Sequence, residues 1–271
     1  MDILSQIIDK KKLRLAATKS LKPLAEVHRE AMRLRDTAPR HALRNALEQN
    51  DRVNIIAEFK RRSPSKGEIR RNADPAGIVK SYELGGAAAV SVLTEEDYFA
   101  GSLDDLRAVR QAVPLPILRK DFVFDEYQVY ESAAAGADAL LLIVAALNNE
   151  TLTRLRIITE DELGMDALVE VHTAEELGRA VRAGAEVIGV NNRDLSTFEV
   201  SLETSVQLAP GAPEGAFLIS ESGIGSAADI QRLRALGYCG FLIGETLMRA
   251  DDPEELLAQF ASAKAFPHGK A

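Results

Sequence analysis

The chain has 271 residues, of which 46% are apolar and 27% charged, an ordinary soluble balance with a sizeable core. Aromatics are 5% with no Trp, so Ala, Val, Leu and Ile must build most of that core. The formal net charge of −8 disfavours general nucleic-acid binding, which needs a basic surface to neutralise phosphates. No stretch has the roughly 18 consecutive apolar residues of a membrane span, and the opening MDILSQIIDKKKLRL lacks a continuous apolar signal core. The expectation is a cytosolic protein, outside the nucleic-acid and membrane classes. Cys239 is the lone cysteine, so an intrachain disulfide is excluded, and its apolar strand context reads as a buried packing position. His28, His41, His172 and His268 form no HxH or HExxH spacing, and no metal is expected; His172 alone falls near the site described below, as a loop residue or a support to it.

The first 50 residues favour helix at 2–17, 24–34 and 41–48, punctuated by Lys22-Pro23 and Ala38-Pro39-Arg40. This reads as an extension too short to build a large core alone, packed either under a larger body or over its functional mouth. From residue 53 the pattern changes. Strand signals at 53–59, 88–93, 116–120, 137–144, 166–171, 186–191, 215–220 and 240–244 alternate with helical ones. The helical candidates are 74–85, 103–112, 125–135, 149–162, 173–183, 201–209, 226–236 and 252–262. Gly86-Ala87, Gly136-Ala137, Gly184-Ala185 and Gly237-Tyr238 each end a helix and introduce a strand, roughly 50 residues apart, or two βα units per interval. Eight such units predict an α/β fold, a (β/α)₈ TIM barrel over 51–262 with the N-terminal helical extension in the same domain. A doubly wound open sheet is the alternative, and FPHGKA within 263–271 reads as a frayed tail.

Chemistry-bearing residues gather at the strand ends. In IIAEFKRRSPSKG, alternation puts Ile56, Glu58 and Lys60 on one face and Ala57 and Phe59 on the other. The same two-residue step links Leu118 to Lys120, Leu168 to Glu170 and Gly189 to Asn191, with Arg193 just beyond. Charges at a packed core position cost more than they return, whereas the C-terminal rim of a barrel is where a site collects them. Lys120 can serve as a general acid and Glu170 as a base; equally, Lys60 or Lys120 can form a Schiff base. The basic run Lys60, Arg61, Arg62 and Lys66 reads as an anion pocket in an acidic chain. After the seventh and eighth strands, SESGIGS and Gly244-Glu245, the latter opening a short helix at 245–249, offer small residues and backbone N–H groups for a phosphate, with Ser226 as the N-cap of the next helix.

These motifs carry a family resemblance. IIAEFKRRSPSKG, VLTEEDYFAGS, ILRKDF, ADALLLIVAAL, LVEVH, IGVNNRDL, ISESGI and FLIGETLM together resemble indole-3-glycerol phosphate synthase over residues 1–262. The resemblance implies a substrate bearing phosphate and carboxylate, 1-(2-carboxyphenylamino)-1-deoxyribulose 5-phosphate, closed to an indole with loss of carbon dioxide and water. It implies Lys120 as general acid, Glu170 as general base and Lys60 as a second lysine. Glu58 and Asn191 match groups that orient the substrate hydroxyls and Lys60, and Arg193 a nearby basic group. Ser63, Gly223, Gly244 and Glu245 match phosphate-binding positions, Ser222 another polar site residue, and Phe99 and Phe122 apolar groups by the aryl ring. No cofactor is implied and a monomer is expected. Rival readings are another sugar-phosphate barrel isomerase, a Schiff-base aldolase, or a barrel that binds a phosphometabolite without turnover.

Overall fold

The computed structural model describes residues 3–49, 51–194 and 197–262. Eight parallel strands close a barrel: Asn54–Phe59 (β1), Ala89–Leu93 (β2), Ile117–Lys120 (β3), Ala139–Ile143 (β4), Asp166–Val171 (β5), Val187–Asn191 (β6), Phe217–Glu221 (β7) and Tyr238–Ile243 (β8). Each neighbour in the ring is the next in chain order, and β8 closes on β1 with Ile56 opposite Leu242. The open-sheet alternative is thereby excluded.

The pleat sorts the strands into two cores. Ile56, Leu118, Leu168 and Ile219 point into the barrel, while Ile55, Ala57, Phe59 and Val169 point out to the helices. The outer ring comprises Pro75–Leu84 (α4), Leu103–Ala112 (α5), Glu126–Ala135 (α6), Asn149–Ile157 (α7), Ala174–Arg182 (α8), Glu203–Leu208 (α9), Ala227–Arg234 (α10), Glu245–Arg249 (α11) and Pro253–Ala261 (α12). Seven of these nine starts are set by side-chain caps: Asp74, Ser102, Asp125, Asn148, Thr173, Ser226 and Asp252 each accept a backbone N–H of the first turn, while α9 and α11 have none. The four glycines noted at helix ends all adopt left-handed backbone. Two helical expectations change: 149–162 becomes α7 plus a π turn at Ile158–Glu162, and 201–209 tightens into α9 followed by a 3₁₀ turn. The π turn tucks in Glu160, which Arg156 neutralises at 2.6 Å.

The extension forms Ile3–Leu21 (α1), Leu24–Arg35 (α2) and Ala42–Leu47 (α3), α1 running further than expected until Pro23 intervenes. It does both things the sequence left as alternatives. At the bottom, Leu43 and Leu47 enter the inner core, and Asp166 at the start of β5 accepts Leu43 N at 2.9 Å and Arg44 N at 3.1 Å. A side chain at Gly240 would come within 2.9 Å of Leu47, so the strand is bare where α3 plugs it. At the top, Lys11 of α1 is buried against Asp121 at 2.8 Å and reaches Glu96 at 3.1 Å, while Arg14 forks onto Asp97 at 2.7 and 2.8 Å. α2 bridges the two ends by packing along α6.

Cys239 lies within β8 but is half-buried rather than buried, against the inner core; burial pushes its thiol up to about 11, as suits a packing thiol. Asp2, Asn50, Leu195, Ser196, His268 and the tail expected to fray at 263–271 lie outside the described residues. Among the described residues no helix is long and apolar enough to cross a membrane.

Leu43 is fully buried in the floor. Leu43→Ala should cost about 2–5 kcal/mol of stability, read as a lower urea midpoint at unchanged slope, with turnover preserved because the floor is remote from the mouth.

Candidate active site

Above the hydrocarbon layer of Ile56, Leu118, Leu168 and Ile219, the next inward residues of the same alternate strands are Glu58, Lys120, Glu170 and Glu221. Alternate strands of such a barrel supply one layer of four inward side chains. Here that layer is one ammonium and three carboxylates. Lys120 Nζ lies 2.8 Å from Glu170 Oε2 and 2.8 Å from Glu221 Oε2. Glu58 Oε1 accepts from Lys60 Nζ at 2.5 Å, Lys60 lying one residue beyond β1 on the same inward row.

Burial pulls the Lys120 ammonium down, but Glu170, Glu221 and Glu58 outweigh it and hold the group above its ordinary value. Lys120 is therefore charged at neutral pH, where its proton can be donated to a developing oxyanion. Burial raises Glu170, yet Lys120 and His172 prevail and keep it below the usual carboxylate range. Glu221 goes the other way: burial, then the Glu170 and Glu58 charges, push it up to about 7 against the pull of Lys120. One lysine cannot hold two adjacent carboxylates equally, so the pair divides into a carboxylate that stays ionised and a group that titrates near neutrality.

Two glycines make the layer sterically feasible. A Cβ at Gly189 would overlap Glu221 Oε1, and one at Gly244 would overlap Glu58 Oε1. Each carboxylate thus occupies the space that a neighbouring strand leaves empty.

Above the layer opens a cavity of about 450 Å³. All thirteen residues that the family resemblance implied for the site line it: Glu58, Lys60, Ser63, Phe99, Lys120, Phe122, Glu170, Asn191, Arg193, Ser222, Gly223, Gly244 and Glu245. Its apolar wall pairs Phe99 with Phe122, ring centroids 6.1 Å apart, and Ile3, Leu4 and Ile7 of α1 complete that side. After β1, a small hairpin pairs Arg62–Ser63 with Gly67–Glu68 and brings Ser63, Ser65 and Lys66 to the rim. Arg193 Nη1 donates to Ser65 Oγ at 3.3 Å, tying the loop after β6 to the loop after β1. Ser222 and Gly223 take successive left-handed conformations, φ 66° and 80°, which fold the loop after β7 against the cavity. Glu245 pairs with Arg249 at 3.1 Å, and Ser226 caps α10 as expected.

Two readings change. Arg61 belongs to no anion pocket: it points away from the cavity and forks onto Asp105 at 2.6 and 2.8 Å, because it is out of phase with Glu58 and Lys60. Arg62 is exposed outside the cavity lining, so of the basic run only Lys60 and Lys66 face in. Conversely, Glu221 was read as part of a phosphate loop, with its strand ended at Ser220. β7 runs one residue further, and Glu221 becomes an inward, buried partner of Lys120. The step from Ile219 to Glu221, identical to that from Leu118 to Lys120, was the available signal.

Comparison with known proteins agrees with this geometry. A family model described as indole-3-glycerol phosphate synthase matches residues 4–260. An indole-3-glycerol phosphate synthase of Kineococcus radiotolerans is 48% identical over 268 residues, spanning 98% of this chain and 97% of that relative. One of Carboxydothermus hydrogenoformans is 52% identical over 220 residues, 80% of this chain and 83% of the relative. Among solved structures, a 3-hexulose-6-phosphate synthase from Salmonella typhimurium superposes with a TM-score of 0.63 at 13% identity, covering 78% of this chain and 97% of that one. That last likeness shows the barrel fold alone.

The raised Glu221 carboxyl has a consequence for stability. Its ordinary value is 4.5 and its folded value about 7, so the folded state binds more protons between them and stability falls as pH rises through that window. Glu221→Gln should flatten this decline, leaving a urea midpoint at pH 8 at or above that of the unsubstituted protein. A decline of unchanged steepness would assign the titration to another group.

Proposed function

The chain belongs to the indole-3-glycerol phosphate synthase family, and on that basis we propose how its own residues close the indole ring in tryptophan biosynthesis. The observation that carries the assignment is Lys120, charged and bracketed by Glu170 and Glu221 at the base of a cavity with a cationic rim and an apolar wall.

The substrate is 1-(2-carboxyphenylamino)-1-deoxyribulose 5-phosphate. Charge dictates its orientation. At the base Lys120 is already bracketed by Glu170 and Glu221, so it offers no unpaired cation to either anionic end of the substrate and accepts the neutral ribulose chain. The phosphate goes to the rim, where Ser63 and the backbone of Gly223, Gly244 and Glu245 meet it. The aryl ring lies on Phe99 and Phe122, and its carboxylate falls toward Lys60 and Arg193.

Lys120 then donates its proton to the C2 carbonyl oxygen as the ring carbon bearing the carboxylate attacks C2. Loss of carbon dioxide returns the bonding pair to the ring and restores aromaticity. The C2 hydroxyl next leaves as water, taking a proton from Lys60, while Glu170 removes the C1 proton to complete the indole double bond. Glu58 and Asn191 orient Lys60 and the ribulose hydroxyls, and Ser222 contributes a further polar contact. Glu221 is the second carboxylate that holds Lys120, at 2.8 Å.

We read the helical extension and the barrel as one working domain, supported by Leu43 and Leu47 in the floor and Lys11 at the mouth. A cytosolic setting is supported by Cys239, a lone thiol that requires no oxidising compartment.

Purified protein mixed with this substrate should generate indole fluorescence. Lys120→Ala should lower kcat by about 10²–10⁴ with little change in KM, since general-acid assistance is made in the transition state. A folded Lys120→Ala variant with near-normal turnover would reject the assigned role. Ser63→Ala should instead raise KM by roughly tenfold or more with kcat little changed, the loss of one hydrogen bond to a charged group. A large kcat loss at constant KM would count against the phosphate grip.

A further inference from the structure

We propose that His172 is a positioning residue for the ring closure: clamped by Glu176, its imidazole presents Nε2 to Glu170 and holds that carboxylate oriented and ionised. This inference rests on the role given above to Glu170.

His172 occupies the short turn between β5, which ends at Val171, and Thr173, the N-cap of α8. Glu176, on the first turn of α8, reaches back and accepts the backbone N–H of His172 at 2.7 Å. The same Glu176 oxygen lies 3.2 Å from His172 Nδ1. A carboxylate only accepts, so the ring hydrogen on that side belongs to Nδ1, and this one ring bond, to an oxygen already anchored by the backbone N–H, orients the imidazole. Nε2 is thereby turned toward the barrel, 3.5 Å from Glu170 Oε1. Glu170 uses its other oxygen for Lys120, so its two oxygens have separate cationic partners.

Capping alone does not explain the imidazole. The backbone bond to Glu176 and the Thr173 side chain already satisfy the start of α8, yet His172 Nε2 is buried without a hydrogen-bond partner. With Nδ1 protonated, a neutral ring would set an Nε2 lone pair against a carboxylate, whereas the imidazolium sets an N–H there. Glu170 from β5, Glu176 from α8 and Glu221 from β7 all face the ring, and together they outweigh burial and raise its proton affinity. Lys120 from β3 and Asn191 from β6 are the other groups acting on Glu170. When Lys120 gives up its proton to substrate, the imidazolium is the cationic partner that Glu170 retains. The carboxylate stays aimed while its basicity rises at the step that needs a base.

The test compares kcat and KM against pH for the unsubstituted enzyme, His172→Ala, His172→Gln, Glu176→Gln and Glu170→Gln. Removing a cation beside Glu170 should move the acid limb of the kcat profile up by about 1–3 pH units in His172→Ala, with KM within about threefold. His172→Gln restores an N–H without charge and should recover kcat at the optimum while leaving the limb shifted. Glu176→Gln should shift it in the same direction by less. A merely structural role for His172 would lower stability and leave the limb in place, and that result in either folded His172 variant would overturn the proposal. Glu170→Gln separates the two levels: near-normal turnover there would reject the role of Glu170 itself, whereas an inactive Glu170→Gln beside an unaltered His172→Ala would reject His172 alone. Should both His172 variants fail to fold, nitrogen-15 NMR of the unsubstituted enzyme decides. A ring protonated on both nitrogens at pH 6.5 supports the proposal and a neutral ring overturns it.

Discussion

The structure depends on keeping one lysine charged inside a closed barrel. An ammonium removed from water needs compensating carboxylates within direct contact, and each carboxylate needs room and a cation within reach. Glu170 and Glu221 meet the first demand at 2.8 Å from Lys120, and Glu58 with Lys60 repeats the arrangement beside them. Room comes from Gly189 and Gly244, whose missing side chains are filled by carboxylates of adjacent strands. Beneath, the layer of Ile56, Leu118, Leu168 and Ile219 denies water a route from below, so these charges act in a medium that strengthens them.

That polar layer must be covered as well as supported, and the N-terminal extension serves both ends of the barrel. α3 closes the floor through Leu43 and Leu47, its free N–H groups met by Asp166. α1 covers the mouth, pinned by Lys11 to Asp121, the residue that follows Lys120. Burial would raise the Asp121 carboxyl, but Lys11 and Arg119 hold it well below the ordinary range, and Thr94 donates to it at 2.5 Å. The Asp121 carboxylate is thus tied into a second buried network with Lys11, Arg119 and Thr94, while the Lys120 ammonium meets Glu170 and Glu221. One strand end thereby locks the roof helix and turns Lys120 inward. The apolar residues that α1 contributes to the cavity, Ile3, Leu4 and Ile7, are placed by the same anchor.

Much of this was legible in the chain. Alternation along single strands was enough to place Glu58, Lys120, Glu170 and Asn191 on inward rows, because a strand's two faces follow from its own backbone. Caps such as Ser226 and the glycines ending helices were legible for the same local reason. The errors occurred where strand meets loop. Ending the seventh strand one residue early hid Glu221 in what looked like a phosphate turn. Reading Arg61 by composition instead of by phase gave the pocket a cation that Asp105 holds elsewhere.

The sequence by itself determined the repeating βα units, the inward rows and the chemical types at their ends, since each depends on residues within a few positions of one another. Tertiary structure alone decided that the sheet closes, that the extension plugs one end and roofs the other, and that Glu221 joins Lys120. It also placed Glu176, His172 and Glu170 in one line from a helix to the barrel interior. Closure, plug, roof and the Glu221–Lys120 contact join residues tens to more than a hundred positions apart, about which local periodicity carries no information. The His172 line joins near neighbours, but its aim is set by the turn from β5 into α8.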